Sequence, residues 1–407
     1  FNASFAIGLW LLARLSRGLV VQPALLVVAG LFWNLGVTLG VVGIAIGHGT
    51  SLDGFEMPGY VGPILFLAYI FIAIWSVLTY KAGRSEQVYI SQWYILAALF
   101  WFPWIFSIAQ IMLFIDPTRG TVQSIVQTWF SQGLYFLWFL PVGLGAIYYF
   151  LPKLLSRTIP NYYLSVYGFW TLALVGGWAG MSRLTGGPVP AWVVSAGVAA
   201  MIMLVVTLLI VGVNFLPLLF GGSRSAAPSP ALRFIAFGSL AVISSLVVGI
   251  ILSLRGVAEV AQFTYLQTAQ AQLVFYAFFS MIAFGAIYYL LPRVLGVEWR
   301  SPGLIGAHFW LSALGALLGI VALALAGVKQ GYSLNVLPLG QETPVPFLTV
   351  TQQLLPYLSA QTLAATVLLL GHLVFGIHVM RTLCASCCLV KSSASVPSYS
   401  AKEAVIR

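Results

Sequence analysis

Long apolar runs, broken by short clusters of Pro, Gly and charged residues, fill most of the chain. A helix that crosses a bilayer needs about 20 apolar residues. Eleven segments meet or approach that length: 1–14, 19–47, 60–80, 89–114, 121–151, 161–181, 189–221, 230–254, 267–294, 302–327 and 353–381. They are apolar all round, which suits lipid or a large core better than a water-facing surface. The first is too short to cross alone and reads as a helix without its beginning.

The run Trp129–Lys153 carries one amide, Gln132, near its start and ends in YYFLPK. Nearly the same ending, YYLLPR, recurs at Tyr288–Arg293. Gln272 precedes Tyr288 by 16 residues, as Gln132 precedes Tyr148. Phe-Trp pairs occur at 32–33, 169–170 and 309–310, and the last two follow their Tyr-Tyr by 21 residues. The spacing predicts three related units of about four helices, the first lacking its start.

Composition fixes the class. Of 407 residues 61% are hydrophobic and 6% charged, and mean hydropathy is +1.01. A soluble domain carries about 25% charged residues, so this is a polytopic membrane protein. The N-terminal residues do not form a signal peptide, because Arg14 and Arg17 follow the apolar run instead of preceding it. Net charge is +10, which reflects the loops and excludes nucleic acid as a partner. Alternate loops hold 14 and 4 of the 18 Lys and Arg residues; the sparse side has only Arg119, Arg183, Arg255 and Lys329. The positive-inside rule makes the rich side cytoplasmic, together with the C-terminus. The longest outer loop, 328–352, suits a partner. Beyond a membrane domain at 1–381, residues 382–407 form a Cys- and Ser-rich tail that is expected to be disordered. Cys384, Cys387 and Cys388 leave metal binding, acylation and a plain tail open.

Several stretches carry a family pattern in order: FEMPGY (55–60), VYISQWYILA (88–97), VQTWF (126–130), GLGAIYYFLPK (143–153), WAG (178–180) with PAW (190–192), FGAIYYLLPR (284–293) and HFW (308–310). On these residues the chain resembles subunit I of the haem–copper oxidases, most closely the C-family, cbb-type. The resemblance implies an all-α polytopic fold of twelve helices in three pseudo-symmetric groups of four, about eleven of them here. It also implies six histidines: two for a low-spin haem, one for a high-spin haem and three for copper.

Carried over one at a time, those positions hold other residues. The copper ligand of the Trp-led helix falls on Gln132, and the copper pair after the family's WAGP falls on Ser182 and Arg183. The two haem ligands of the tenth helix fall on Gln270 and Gln272, and the remaining low-spin ligand would precede Phe1. The family's catalytic Tyr and nearby Glu fall near Val242 and Gly249. A neutral amide is a poor ligand for haem iron or copper, though it hydrogen-bonds well. Arg183 adds a fixed positive charge where a metal cation would sit; it either snorkels or pairs with a Gln or a carbonyl in the pocket.

Four histidines remain: His48, His308, His372 and His378. His372 and His378 are the alternative haem ligands, but six residues put them about 240° apart around a helix. They are expected not to converge. No Asp, Glu or Lys lies deep in a span, so no proton relay is legible. Volume vacated by haem must be filled, and Phe130, Tyr135, Trp138, Phe275, Tyr276 and Phe279 are available.

The expected function is a redox-centre-free subunit, without catalytic or metal-binding residues of its own, in a respiratory or electron-transfer complex of the bacterial inner membrane. Its expected partners are lipids, other membrane subunits and a c-type cytochrome or other redox subunit on the outer face. One alternative is an active cbb-type oxidase or nitric-oxide-reductase-like subunit with haem b held by relocated ligands. Another is a conduit, or a protein that binds lipid or quinone in the vacated pocket.

Overall fold

The computed structural model of the chain describes residues 1–17, 20–83, 87–221, 229–335 and 345–394, with the backbone alone for 386–394. Arg84, Arg224, Glu342 and the stretch from 395 on lie outside the described residues. In a bilayer each backbone amide must be satisfied within its own segment, so apolar spans become helices. The main helices are α1 Asn2–Leu15, α2 Pro23–Ala45, α3 Val61–Ala82, α4 Ile90–Ile115, α5 Thr121–Leu155, α6 Tyr162–Leu184, α7 Ala191–Phe220, α8 Pro230–Ser253, α9 Tyr265–Leu295, α10 Pro302–Asn335 and α11 Phe347–Ala394, with a short helix at Arg255–Ala261 between α8 and α9. Of the main helices, all but α1 are long and apolar enough to cross a membrane. The eleven expected segments are therefore present in order. The chain is an all-helical, polytopic membrane protein.

The repeat is visible in the packing. Gly145 of α5 lies against Tyr94 and Ile95 of α4, and Gly285 of α9 lies against Phe234 and Ile235 of α8. Each residue of the second set is 140 positions after its counterpart. Tyr94 stacks on Tyr148 and meets Phe169 edge-on at 5.3 Å; Phe234 meets Tyr288 at 5.2 Å and Phe309 edge-on at 5.1 Å. Both long helices close on a left-handed residue, Ser156 after α5 and Gly296 after α9. Small residues at these crossings let helices approach closely, which drives packing where lipid offers no hydrophobic gain.

Both helices also widen at the same register. A π-helical stretch occupies Leu134–Phe139 in α5 and Leu273–Ser280 in α9, beginning two residues after Gln132 and one after Gln272. Such turns shift the faces of a helix and are frequent at functional sites. Hydropathy does not report them.

Two boundaries differ from expectation. The loop expected at 328–352 is helical at both ends, since α10 runs to Asn335 and α11 begins at Phe347. Tertiary packing extends α10 where hydropathy falls: Gly327 sits on the backbone of Leu266, Gly331 on that of Val260, and Gln330 accepts from the Tyr265 amide at 3.0 Å. At the other end α11 continues past residue 381 to Ala394, so the first part of the expected tail is helical. Cys384 is exposed there.

A Cβ at Gly327 would overlap the Leu266 backbone, whereas one at Gly306 on the same helix meets nothing within 4 Å. Gly327→Ala is expected to cost about 1–3 kcal/mol. Gly306→Ala is expected to be neutral or slightly stabilising. Thermal unfolding midpoints of the two variants in one detergent check this difference in sign.

Candidate functional site

The polar residues of α5, α6, α8 and α9 gather on a cavity of ≈ 180 Å³. The 3-10 turn Gly180–Leu184 at the end of α6 brings in Ser182 and Arg183. The last turn of α5 before its π stretch brings in Ser131 and Gln132, and the π stretch itself adds Tyr135 and Phe136. Ser245, Gly249 and Ser253 come from α8, and Gln267, Gln270 and Phe275 from α9.

Gly180 makes this geometry possible. Gln132 lies so close to it that a Cβ there would overlap the Gln132 side chain. Tyr135 and Ser245 share a hydrogen bond of 3.1 Å between their hydroxyls. Gln270 is 4% exposed and donates through Nε2 to the Ser245 carbonyl at 2.9 Å. Its Oε1 has no hydrogen-bond partner, nor has the buried Oε1 of Gln267. Gly249 lies against the Gln270 amide, where a larger side chain would press on Nε2.

Arg183 is the single charged residue on the cavity wall. It is half-buried, and Tyr135 lines the same cavity. Among the described residues no hydrogen bond joins the Arg183 side chain to a Gln or a carbonyl. Instead its own carbonyl accepts from Gln262 Nε2, while Arg255 donates to Ser195 Oγ at 2.6 Å.

Four of the five positions singled out from the sequence, Gln132, Ser182, Arg183 and Gln270, thus meet in one cavity. Gln272 does not. Two residues along a helix turn it by about 200°, and it lies with Gln361 of α11 against Gly319 of α10. That contact repeats the Gln132–Gly180 contact within the next unit. Val242 is fully buried. Of the expected fillers, Tyr135 and Phe275 line the cavity. Phe139 and Phe279 pack beside them at 4.8 Å, Trp138 joins Phe5 and Phe102, and Phe130 stacks on Phe55. Gln267, Ser245, Ser253 and Gln262 were not foreseen; the one signal for Gln267 is its place one turn before Gln270.

Three of the histidines sit in an aromatic cluster. His372 and His378 do not share a face of α11, yet His308 of α10 lies between them. Its ring meets Phe284 at 4.5 Å, Phe375 at 4.9 Å and Tyr288 at 5.7 Å. His372 lies 5.8 Å from Phe284, and His378 is 6.2 Å from Tyr288 and 4.7 Å from Trp299. A wheel drawn on one helix omits the neighbours that complete such a cluster. Tyr276 bonds His372 Nε2 and Tyr288 bonds His308 Nδ1, each at 3.0 Å. Among the described residues no three His, Cys, Asp or Glu side chains form a group fit for a metal ion.

The donor set at the cavity fits neither a haem iron nor copper. It offers amides, hydroxyls and a guanidinium in place of imidazole or thiolate. The volume also falls below the ~300–1,000 Å³ of pockets for drug-sized ligands, and a haem is at least that large.

Helix order, pseudo-symmetry and a polar cavity between the second and third units define a haem–copper oxidase subunit I fold. The chain belongs to the family described as cytochrome c and quinol oxidase polypeptide I, whose pattern matches residues 1–367. It is 24% identical over 336 residues to the cbb3-type cytochrome c oxidase subunit CcoN1 of Stutzerimonas stutzeri, covering 81% of this chain and 71% of that protein. It is 24% identical over 370 residues to a cytochrome c oxidase subunit 1 homolog of Agrobacterium tumefaciens (strain T37), covering 86% and 67%. A homolog from Azorhizobium caulinodans is 25% identical and is spanned over 59% of its length. Among solved structures, a haem-copper terminal oxidase dimer superposes with a TM-score of 0.73 at 12% identity, covering 93% of this chain and 73% of that one.

Gly180→Ala is expected to displace Gln132 and cost about 1–3 kcal/mol. In a Gln132→Gly background most of that cost is expected to vanish. Unfolding midpoints of the two single variants and the double variant measure the coupling.

Proposed function

We propose that this chain is a redox-centre-free member of its family, acting as an integral membrane subunit of a respiratory or electron-transfer complex. The observation that carries the reading is the cavity wall. Gln132, Ser182, Arg183 and Gln270 stand together there, at the positions where the resemblance expects metal ligands. An amide holds soft or borderline metals poorly, and a guanidinium repels any cation. Gln272, at the other expected haem position, packs between helices against Gly319. The fold meanwhile retains its helix order and its packing from unit to unit. A scaffold of this kind stabilises partner subunits through its lipid-facing helices. The 14-to-4 split of basic residues supports a cytoplasmic C-terminus. The bacterial relatives support a place in the cytoplasmic membrane. A redox subunit such as a c-type cytochrome then docks on the opposite, outer face.

A second reading keeps an oxidase with relocated haem b. It draws on His378, whose two ring nitrogens lack hydrogen-bond partners, and on the unpartnered Nε2 of His308. Both rings are almost fully buried against Trp299, Phe284 and Phe375, which leaves no room there for a macrocycle. This favours the first reading.

Pyridine haemochrome spectra and metal analysis of the purified complex, with haems assigned to chains by separating the subunits, test the proposal. The expected result is no stoichiometric haem or copper on this chain. One haem b per chain, with a Soret band lost in His378→Ala or His372→Ala, would overturn it.

A further inference from the structure

We infer that the cavity between α5, α6, α8 and α9 is a binding site for a small monovalent anion, of halide or simple carboxylate size, with Arg183 as its counter-charge. The inference rests on the reading of this cavity as free of redox centres.

A guanidinium stays charged at any pH a protein survives. Enclosing it without an opposite charge is costly, because water is lost and nothing replaces its stabilisation. Among the described residues no carboxylate partners Arg183, and the groups around it are neutral. The Tyr135 hydroxyl is engaged with Ser245, and Gln270 Nε2 with the Ser245 carbonyl. Arg183 thus lines the cavity, and among the described residues its side chain has no hydrogen-bond acceptor. An anion completes the site by accepting charge-assisted hydrogen bonds from its guanidinium.

Size and charge narrow the class. A volume of ≈ 180 Å³ admits a small ion with a few waters, each occupying about 30 Å³. It excludes a lipid tail or a quinone with its chain. One cation on the wall balances one negative charge, so a divalent oxyanion would be left with excess charge. The unpartnered Oε1 atoms of Gln267 and Gln270 are acceptors and cannot touch the anion directly. They fit water molecules that bridge to it, which is how a buried polar group is satisfied when no side chain reaches it.

The test uses the purified full-length protein, in its complex where one is isolated. Tryptophan fluorescence follows thermal unfolding at constant ionic strength in chloride, formate or gluconate, and an optical spectrum of each sample records haem. Chloride or formate is expected to raise the wild-type midpoint by about 2 °C or more over gluconate, which is too large for the cavity. Arg183→Gln is expected to abolish the difference and Arg183→Lys to retain part of it. Equal wild-type midpoints in all three anions would overturn the anion site and leave the redox-free reading intact. A Soret band would overturn the redox-free reading instead. An anion effect that persists undiminished in Arg183→Gln would overturn the role given to Arg183. Because the wild-type comparison needs no substitution, a variant that fails to fold does not blunt the test.

Discussion

Everything in this bundle depends on two helix crossings where a glycine takes the place of a side chain. Gly145 lets α5 settle on Tyr94 and Ile95, and Gly285 lets α9 settle on Phe234 and Ile235. In lipid, apolar side chains gain nothing by leaving their solvent, so close approach and the dispersion it permits hold helices together. These crossings fix the depth and rotation of the two long helices. That rotation then decides which side of each amide-bearing turn faces inward. The π stretches after Gln132 and Gln272 add a local twist at matching registers. The cavity and the Gln272–Gly319 contact are thus two outcomes of one repeated construction.

The two outcomes differ because the neighbours differ. Gln132 meets the tight turn at Gly180–Leu184, which carries Ser182 and Arg183 into the bundle. Gln272 meets a straight helix at Gly319 and is closed over by Gln361. Pseudo-symmetry of the backbone therefore permits distinct chemistry at equivalent positions.

Much of the fold was legible in the sequence. The apolar runs, the YYFLPK and YYLLPR endings and the equal offsets of the amides led directly to eleven helices and a repeat. Hydropathy carries that information because lipid imposes one requirement on every span. It misses what depends on neighbours. The far end of α10 is helical despite its polar content, since Gly327, Gly331 and Gln330 are anchored by other elements. The π stretches leave no period in the sequence. Gln132, Ser182, Arg183, Gln270 and Gln272 were read as one site, and all but Gln272 share a cavity. Gln267 and Ser245 were not, because a polar residue on an apolar helix gives no sign of its direction. The histidine cluster escaped for a related reason, as it is assembled by three helices and the wheel of α11 shows only one.

That cluster has a mechanical meaning. α11 packs chiefly on α10, and its rings at 372, 375 and 378 reach across to Tyr276, Phe284, Tyr288 and Trp299. They fasten the C-terminal hairpin to the core as a clasp at one height. A pull on the C-terminus would load this clasp before it strained the crossings at Gly145 and Gly285.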